Sequence, residues 1–383
     1  MTNRPRVLLV MGTRPEAIKM APVRRRLART CEVQVCVTAQ HRQMLDQVLD
    51  FFGIRPDHDL DIMSSNQTLT RITTRILDGM SRVLDEAQPD HVFVHGDTTT
   101  TFSAALAAFY RGIPVGHVEA GLRTGDMRNP FPEEMNRKLT GSVASYHFAP
   151  TEGARTNLLA EGVSPESIIV TGNTAIDALQ DTVAALQAAP RPVLFTPDHQ
   201  RILVTVHRRE SFGDGIRNVC TALRRIVDEL DNAHLLLPVH FNPNIRQTVQ
   251  DALGDHPSIS LIEPLAYPDF VQQLAAADLI ITDSGGVQEE APSLGKPVLV
   301  MRECTERPEA VAAGTVILVG TDPDRITGTA LELLTDSTRY QRMAQAVNPY
   351  GDGRAAERIA SFMGFLAGQT DHPRRPEPFQ VPS

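Results

Sequence analysis

The chain has 383 residues, which is enough for two domains of ordinary size. Its composition, with 42% hydrophobic and 22% charged residues, is typical of a globular protein. The formal net charge of -9 argues against a nucleic-acid or membrane-surface partner, because either would need a concentrated basic face. The four cysteines do not have the spacing of a metal site, and they are too few to indicate a disulfide framework. No segment approaches the ~20 apolar residues that a membrane span needs. We therefore expect a cytoplasmic protein without a metal site.

Short apolar runs alternate with helical patterns through the first half of the chain. Each run predicts a buried strand, and each is followed by a stretch whose apolar spacing is near 3.6, clearest at 69–87. This alternation predicts βαβ units and a parallel sheet with right-handed crossovers. The runs are RVLLVMG, EVQVCVTA, DHVFVHGD, IPVGHVEA, YHFAP and SIIVTGN.

A proline-rich stretch at 188–200 interrupts the alternation and is typical of a linker. The pattern then resumes, which predicts an α/β chain with two Rossmann-like domains whose strand carboxyl ends line one cleft. The tail at 369–383 is rich in proline and is predicted to be disordered. The runs after the linker are RILVTVHRRE, HLLLPVHFNP, ISLIEPL, DLIITDSGG, KPVLVMRE and TVILVG.

Two carboxylates follow apolar runs where neutral turn residues are usual. Asp97 and Glu119 each come directly after a predicted strand, so they lie at the strand ends where open α/β sheets bind ligands. Glu133 is a third candidate acid near the start of a predicted helix, with Arg137 one turn later. Helix capping alone would also explain a glutamate at that position.

The loop MGTRPEAIKMAP follows the first strand and opens a helix, so its N-terminus can approach an anion. Arg14 and Lys19 add positive charge there, although ordinary helix-surface charges explain them equally well.

A second anion site is predicted in the other half. There a strand leads into residues 283–286, Asp-Ser-Gly-Gly, and then a helix, which offers a hydroxyl and backbone N–H groups to a phosphate. Glu290 on that helix can accept hydrogen bonds from ribose hydroxyls, and His207 at another strand end can donate to a phosphate. A tight turn that needs glycine for backbone reasons is the alternative. Acids opposite an anion site indicate a nucleotide-sugar enzyme and leave its reaction open.

Ten long motifs lie along nearly the whole chain, outside the linker and tail. The motifs are GTRPEAIKMAP, VTAQHRQMLDQ, HGDTTTT, GHVEAGLRTGD, PFPEEMNR, TGNTAIDAL, HRRESFG, DSGGVQEEAPSLGKPVL, TERPEAV and NPYGDGRA. With these motifs the chain resembles the non-hydrolysing UDP-N-acetylglucosamine 2-epimerases. The resemblance implies a GT-B fold with Rossmann-like domains at 1–186 and 201–348, facing a central cleft across the linker 187–200. It also implies a C-terminal helix at 349–368 that crosses back to the first domain, and a homodimer.

The reaction implied by the resemblance is reversible conversion of UDP-N-acetylglucosamine to UDP-N-acetylmannosamine, without metal or other cofactor. UDP would leave in an anti elimination to 2-acetamidoglucal and add back to the other face. The implied catalytic residues are Asp97, Glu119, Glu133, His207 and Lys19. The implied substrate contacts are Arg14, Lys19, Asp97, Glu119, Arg137, His207, Leu265, Phe270, Ser284, Gly285, Gly286, Glu290 and Arg307.

Many bacterial members also bind UDP-N-acetylglucosamine at a regulatory site, and Gln40, Gln43 and His240 match positions that line it. Asn66 stands where some regulated members carry arginine, which leaves allosteric activation open. Two further departures from the family pattern are Val206, before the histidine, and Cys304, in place of a threonine.

Three other functions stay open at this point. A hydrolysing epimerase would release UDP and free N-acetylmannosamine, and a GT-B glycosyltransferase would need an added acceptor. A catalytically silent nucleotide-sugar sensor would bind UDP without turnover.

Overall fold

The computed structural model describes residues 4–39, 42–64, 67–206, 214–239, 243–305, 307–372 and 374–381; for residues 42, 43, 243 and 244 it describes the backbone alone. The chain forms two compact units. The first unit comprises Met1–Gln180 and Tyr350–Gln380, and the second comprises Asp181–Pro349 and Val381–Ser383.

The first unit is built on a parallel sheet whose seven described strands have the order β3-β2-β1-β4-β5-β6-β7. This is the doubly wound order, and it reverses direction between β1 and β4. The strands are β1 (Arg6–Met11), β2 (Glu32–Val37), β3 (His58–Asp59), β4 (His91–His95), β5 (Val115–Val118), β6 (Tyr146–Ala149) and β7 (Ile168–Val170). The helices are α1 (Arg14–Leu27), α2 (Arg42–Phe51), α3 (Leu69–Ala87), α4 (Thr99–Tyr110), α5 (Glu133–Val143), α6 (Glu152–Ala160), α7 (Thr174–Ala188) and, near the end of the chain, α15 (Ala355–Leu366).

The second unit repeats this arrangement with six described parallel strands in the order β10-β9-β8-β11-β12-β13, so its reversal lies between β8 and β11. The strands are β8 (Gln200–Thr205), β9 (Ala233–Pro238), β10 (Ile259–Ile262), β11 (Leu279–Thr282), β12 (Val298–Val300) and β13 (Val316–Leu318). The helices are α8 (Asp214–Glu229), α9 (Pro243–Leu253), α10 (Tyr267–Ala276), α11 (Gly285–Glu290), α12 (Pro308–Ala312), α13 (Pro323–Thr335) and α14 (Ser337–Ala344).

The apolar runs form central strands because both faces of each sheet are covered by helices. In β1 every residue after Arg6 is buried, and β11 is buried throughout. Such continuous burial is typical of parallel sheets and explains why these strands show no polar alternation. The predicted helix at 69–87 is confirmed as α3, which begins after an N-cap at Thr68 and buries Ile72, Ile76 and Met80.

The boundary between the units falls inside α7, because Gln180 belongs to the first unit and Asp181 to the second. Residues 189–199, which follow this helix, contain no regular element, and β8 begins at Gln200. The chain returns to the first unit at Tyr350, where α15 contacts α1 and Phe362 contacts the Phe148 ring, with centroids 5.7 Å apart.

In the tail, the described residues 374–381 contact the first unit. Phe379 is buried, and its N–H donates to the carbonyl of Val170 at the edge strand β7. Arg375 donates to the carbonyl of Ile168 and lies 5.6 Å above the Phe362 ring. A proline-rich segment cannot extend a helix, but an extended chain can still hydrogen-bond to an open strand edge and bury one aromatic ring.

Within the described residues no helix is long and apolar enough to cross a bilayer.

Candidate active site

Glu119 lies at the carboxyl end of β5 and is the centre of a buried polar cluster. The Lys19 ammonium, from α1, contacts its Oε2 atom, and Asn173 Nδ2 donates to the same oxygen at 2.9 Å. The Glu119 side chain is only 9% exposed and that of Lys19 only 14%. The backbone of Glu119 has a φ of 63°, which is uncommon for a residue with a side chain, and strained residues of this kind cluster at functional sites. The structure thus brings two predicted site residues together and adds Asn173, which the sequence did not single out.

A row of buried histidines lies behind this cluster on neighbouring strands. His95 Nε2 is 3.8 Å from Glu119 Oε2, and burial lowers the pKa of His95 to about 4. His117 Nε2 is 2.7 Å from the carbonyl oxygen of Gly96, and burial lowers its pKa to about 3. Burial likewise lowers the pKa of His147 to about 4. These imidazoles are therefore neutral at physiological pH and add no positive charge beside Glu119.

Asp97 follows β4 and is paired with α5. Arg137 Nη2 lies 2.7 Å from Asp97 Oδ2, and Arg137 Nη1 lies 2.9 Å from Glu134 Oε2. Burial opposes the guanidinium charge, but Asp97 and Glu134 outweigh it and raise the pKa of Arg137. Asn136 Nδ2 also donates to the backbone carbonyl of Asp97 at 2.8 Å. Two side chains of one helix therefore hold Asp97, Arg137 through its carboxylate and Asn136 through its backbone.

Glu133 is the first residue of α5 and is half-buried, whereas the next residue, Glu134, is fully buried. Glu134 accepts hydrogen bonds from the N–H groups of Thr124 and Gly125, both at 3.1 Å. Glu134 therefore has a structural role, because it ties the loop at Thr124 and Gly125 to the start of α5, and Glu133 is the one of the two that retains access to solvent.

A buried carboxylate at Glu16 is central to this edge of the sheet and was missed as a functional residue. Its Oε2 accepts from the N–H groups of Gly12 and Thr13 at 2.8 and 2.7 Å, and its Oε1 accepts from the Thr98 and Thr101 hydroxyls at 2.6 and 3.0 Å. Burial raises the pKa of Glu16 against the effect of these hydrogen bonds. The signal was the spacing in TRPE, which is a capping box. Glu16 joins the β1–α1 loop to the start of α4 across the point where the strand order reverses.

In the second unit, the turn after β11 lies at the corresponding reversal. The Ser284 N–H donates to the Thr282 hydroxyl at 2.9 Å, and α11 begins at Gly285. A Cβ atom on Gly285 would lie 2.8 Å from Cζ of Arg307, whereas one on Gly286 would meet no described atom within 4 Å. Arg307 is oriented by its 2.7 Å contact with Glu289. A guanidinium and a helix N-terminus therefore meet at this turn, as the prediction of an anion site requires.

Three further predicted contacts lie on or near α10 and α11. Glu290 Oε1 accepts from the Tyr267 hydroxyl at 3.2 Å, and burial raises the Tyr267 pKa well above its ordinary value, so this tyrosine stays a donor. Phe270 on α10 and Leu265 just before it are both half-buried. Arg14, in the first turn of α1 in the other unit, is half-buried as well.

Several predicted residues lie outside the described part of the chain: His207, Gln40, His240 and the variant position Asn66, together with the side chain of Gln43. Val206 ends the described segment and is buried, and Cys304 is exposed. The described residues contain no group of three or more His, Cys, Asp or Glu side chains that could hold a metal ion.

Comparison with known proteins gives a consistent result over most of the chain. Residues 25–364 match the family model described as UDP-N-acetylglucosamine 2-epimerase. A UDP-N-acetylglucosamine 2-epimerase of Escherichia coli is 57% identical over 365 residues, which is 92% of this chain and 97% of the relative. The one from Bacillus subtilis is 54% identical, with 95% of this chain and 96% of the relative covered.

Solved structures agree with this assignment. The crystal structure of UDP-GlcNAc 2-epimerase from Neisseria meningitidis, bound to UDP-GlcNAc, matches with a TM-score of 0.85 and 49% identity, covering 92% of this chain and 98% of that one. These matches confirm the predicted α/β class with two parallel sheets and a GT-B-like two-domain fold. The chain therefore belongs to the UDP-N-acetylglucosamine 2-epimerase family.

Proposed function

We propose that this protein interconverts UDP-N-acetylglucosamine and UDP-N-acetylmannosamine without hydrolysis. In the elimination step the bond from C1 to the UDP oxygen breaks, the C2 proton leaves, and a C1=C2 double bond forms in 2-acetamidoglucal. In the return step the UDP oxygen bonds to C1 and a proton adds to the opposite face of C2. Support comes from the names of the relatives and from a related structure bound to UDP-GlcNAc.

The observation that carries this proposal is the Glu119 carboxylate, which Lys19 and Asn173 hold at the carboxyl edge of the sheet. The C2 proton of an acetamido sugar is not acidic, so departing UDP must build cationic character at C1 before the proton is lost. Carboxylates beside the ring stabilise such charge and accept the proton.

Inversion at C2 needs proton transfer on both faces of the sugar, and one rigidly held base serves only one face. Asp97, in the turn after β4, and Glu133, at the start of α5, supply further carboxylates. We assign Glu119, Asp97 and Glu133 together to acid–base work and charge stabilisation.

The nucleotide half of the substrate is assigned to the second unit, and Arg14 of the first unit keeps its predicted role as a substrate contact. The turn at Ser284, Gly285 and Gly286 offers N–H groups to the diphosphate, and Arg307 adds a guanidinium. Glu290 would accept hydrogen bonds from the ribose hydroxyls. The half-buried Phe270 and the backbone near Leu265 would hold the uracil. His207 would protonate or stabilise the departing UDP. Arg137 is assigned to position Asp97, which it contacts.

The resemblance also supports a cytoplasmic homodimer with a second UDP-N-acetylglucosamine site at Gln40, Gln43 and His240. The variant Gln43→Ala should then change the cooperativity of the substrate curve more than the limiting rate. Superimposable curves for the variant and the wild type would refute the regulatory site.

Product analysis tests the proposed reaction against its alternatives. Purified protein with UDP-N-acetylglucosamine should yield UDP-N-acetylmannosamine with no stoichiometric free UDP. UDP release in step with product would instead establish the hydrolysing reaction. Turnover only with an added acceptor would establish a transferase, and UDP binding without turnover would establish a sensor.

The acid assignment has its own test. Glu119→Gln and Glu133→Gln should each lower kcat by ~10²-fold or more, because an amide cannot accept the proton. Glu152→Gln is the matched control, since Glu152 lies on α6 and pairs with Arg155. Near-normal rates in both site variants would refute the assignment.

A further inference from the structure

Asn173 lies in the turn between β7 and α7, and its side-chain amide reaches the carboxylate at the end of β5. It is 1% exposed, and its Nδ2 donates to Glu119 Oε2 at 2.9 Å. Strand β6 lies between β5 and β7, so this contact crosses a neighbouring strand. The sequence motifs do not single out Asn173, and the proposed reaction names it only as a partner that holds Glu119.

The orientation of the Asn173 amide is fixed by its other partner. Its Oδ1 accepts from the N–H of Ala175 at 2.9 Å, in the first turn of α7. Since that partner is a donor, the oxygen must face Ala175 and the NH2 group must face Glu119. The side chain therefore presents a donor to the carboxylate, and a rotated amide would lose both hydrogen bonds.

The backbone of Asn173 is held by the C-terminal segment of the first unit. Its N–H donates to the carbonyl of Tyr350 at 2.6 Å, and Tyr350 is one of the most deeply buried large side chains. Close backbone contact also occurs at the preceding residue, because a Cβ atom on Gly172 would lie 3.3 Å from Cα of Gly351. Asp177 further binds this segment by accepting from the N–H groups at the start of α15. The turn that carries Asn173 is thus fixed on both sides.

We propose that Asn173 is a positioning residue for the proton transfer at C2: with Lys19 it holds Glu119 through Oε2, in one orientation and in the charged form that a base requires. The proposal rests on the proposed function, in which Glu119 exchanges a proton with the sugar. Hydrogen bonds donated to a carboxylate favour its charged form, and a negative charge beside it favours the protonated form. Changes at position 173 therefore alter the pH range in which the base is competent, and not only its rate.

The test is the pH dependence of kcat and kcat/KM for the wild type, Asn173→Asp and Asn173→Ser. Serine keeps an oxygen that can cap α7 but is too short to reach Glu119, so the lost donor should move the acid limb upward by about one pH unit. Asn173→Asp replaces the donor with a second carboxylate, whose negative charge disfavours the charged form of Glu119. The acid limb of this variant should therefore move further upward, and its apparent pKa belongs to the pair of carboxylates. We expect kcat to fall at neutral pH in both variants, with KM changed much less.

The matched control is Asp177→Ser, in the same first turn of α7. It loosens the C-terminal segment without touching Glu119, so it should lower the melting temperature and leave the acid limb in place. If Asn173→Asp fails to fold, the pH profile of Asn173→Ser decides the test. Wild-type protein that does not turn over refutes the proposed function itself. A wild type that turns over, with an unmoved acid limb in folded variants at position 173, overturns the positioning role and assigns Asn173 to helix capping alone.

Discussion

Lowering the pH from 7.5 to 5.5 should destabilise the protein through three buried histidines of the first sheet. Burial lowers the pKa of His95 and His147 to about 4 and that of His117 to about 3, against about 6.5 in an unfolded chain. As the pH falls through 6.5, the unfolded chain takes up protons that the folded protein cannot. The stabilisation by these neutral imidazoles is therefore complete above pH 6.5 and is lost as the pH falls toward the folded values.

The magnitude follows from the same values. At pH 5.5 an unfolded histidine is about nine-tenths protonated while each buried one stays neutral, which costs between about 1 and 2 kcal/mol per residue. Three such residues lower the free energy of unfolding by about 4 kcal/mol relative to pH 7.5. For a unit of about 200 residues this corresponds to a Tm lower by roughly 10 °C.

Differential scanning calorimetry at the two pH values measures this effect. The comparison is His147→Gln, because glutamine does not titrate and position 147 lies farther from Glu119 than His95 does. The variant should lose about a third of the wild-type pH dependence, whatever its stability at pH 7.5. A wild-type Tm that is equal at both pH values would refute the reasoning, as would a variant whose pH dependence matches the wild type.

Three further predictions concern stability and binding. Arg137→Ala should cost about 3 kcal/mol of unfolding free energy in urea titration, because it leaves the fully buried Glu134 without its ion-pair partner; a loss below 1 kcal/mol would contradict the pairing. Glu16→Ala should cost a similar amount, about 3 kcal/mol, because two backbone N–H groups lose their buried acceptor; an unchanged denaturation midpoint would show that water replaces it. Gly285→Ala should weaken UDP binding about tenfold by calorimetry, because its Cβ displaces a guanidinium, whereas Gly286→Ala meets no neighbour among the described residues; equal Kd values for Gly285→Ala and the wild type would remove that guanidinium from the site.

The fold was predictable because its signals are local. Runs such as RVLLVM and LIIT are long enough and apolar enough to indicate strands covered on both faces, and 69–87 has a clear apolar face. The position of Asp97 and Glu119 at strand ends followed from the same pattern. The contact of Phe379 with the edge strand β7 was not predictable, because composition does not show that a tail residue finds an open strand edge.

The partners within the site were less predictable, because they are distant in sequence. Asn173 and Glu119 are 54 residues apart, and Lys19 and Glu119 are 100 apart. Nothing local indicates that Arg137 pairs with Asp97 or that Glu16 accepts hydrogen bonds from α4. Glu16 alone left a local signal, the capping box, and that signal predicts a helix start without revealing the long-range contacts.

Proton NMR of the purified protein with UDP-N-acetylglucosamine in deuterated water tests the central claim most directly. Reversible elimination and addition predicts the anomeric signal of UDP-N-acetylmannosamine, with deuterium at C2 in both epimers at equilibrium. Epimerisation that retains protium at C2, or no exchange at all in active, folded protein, would contradict it.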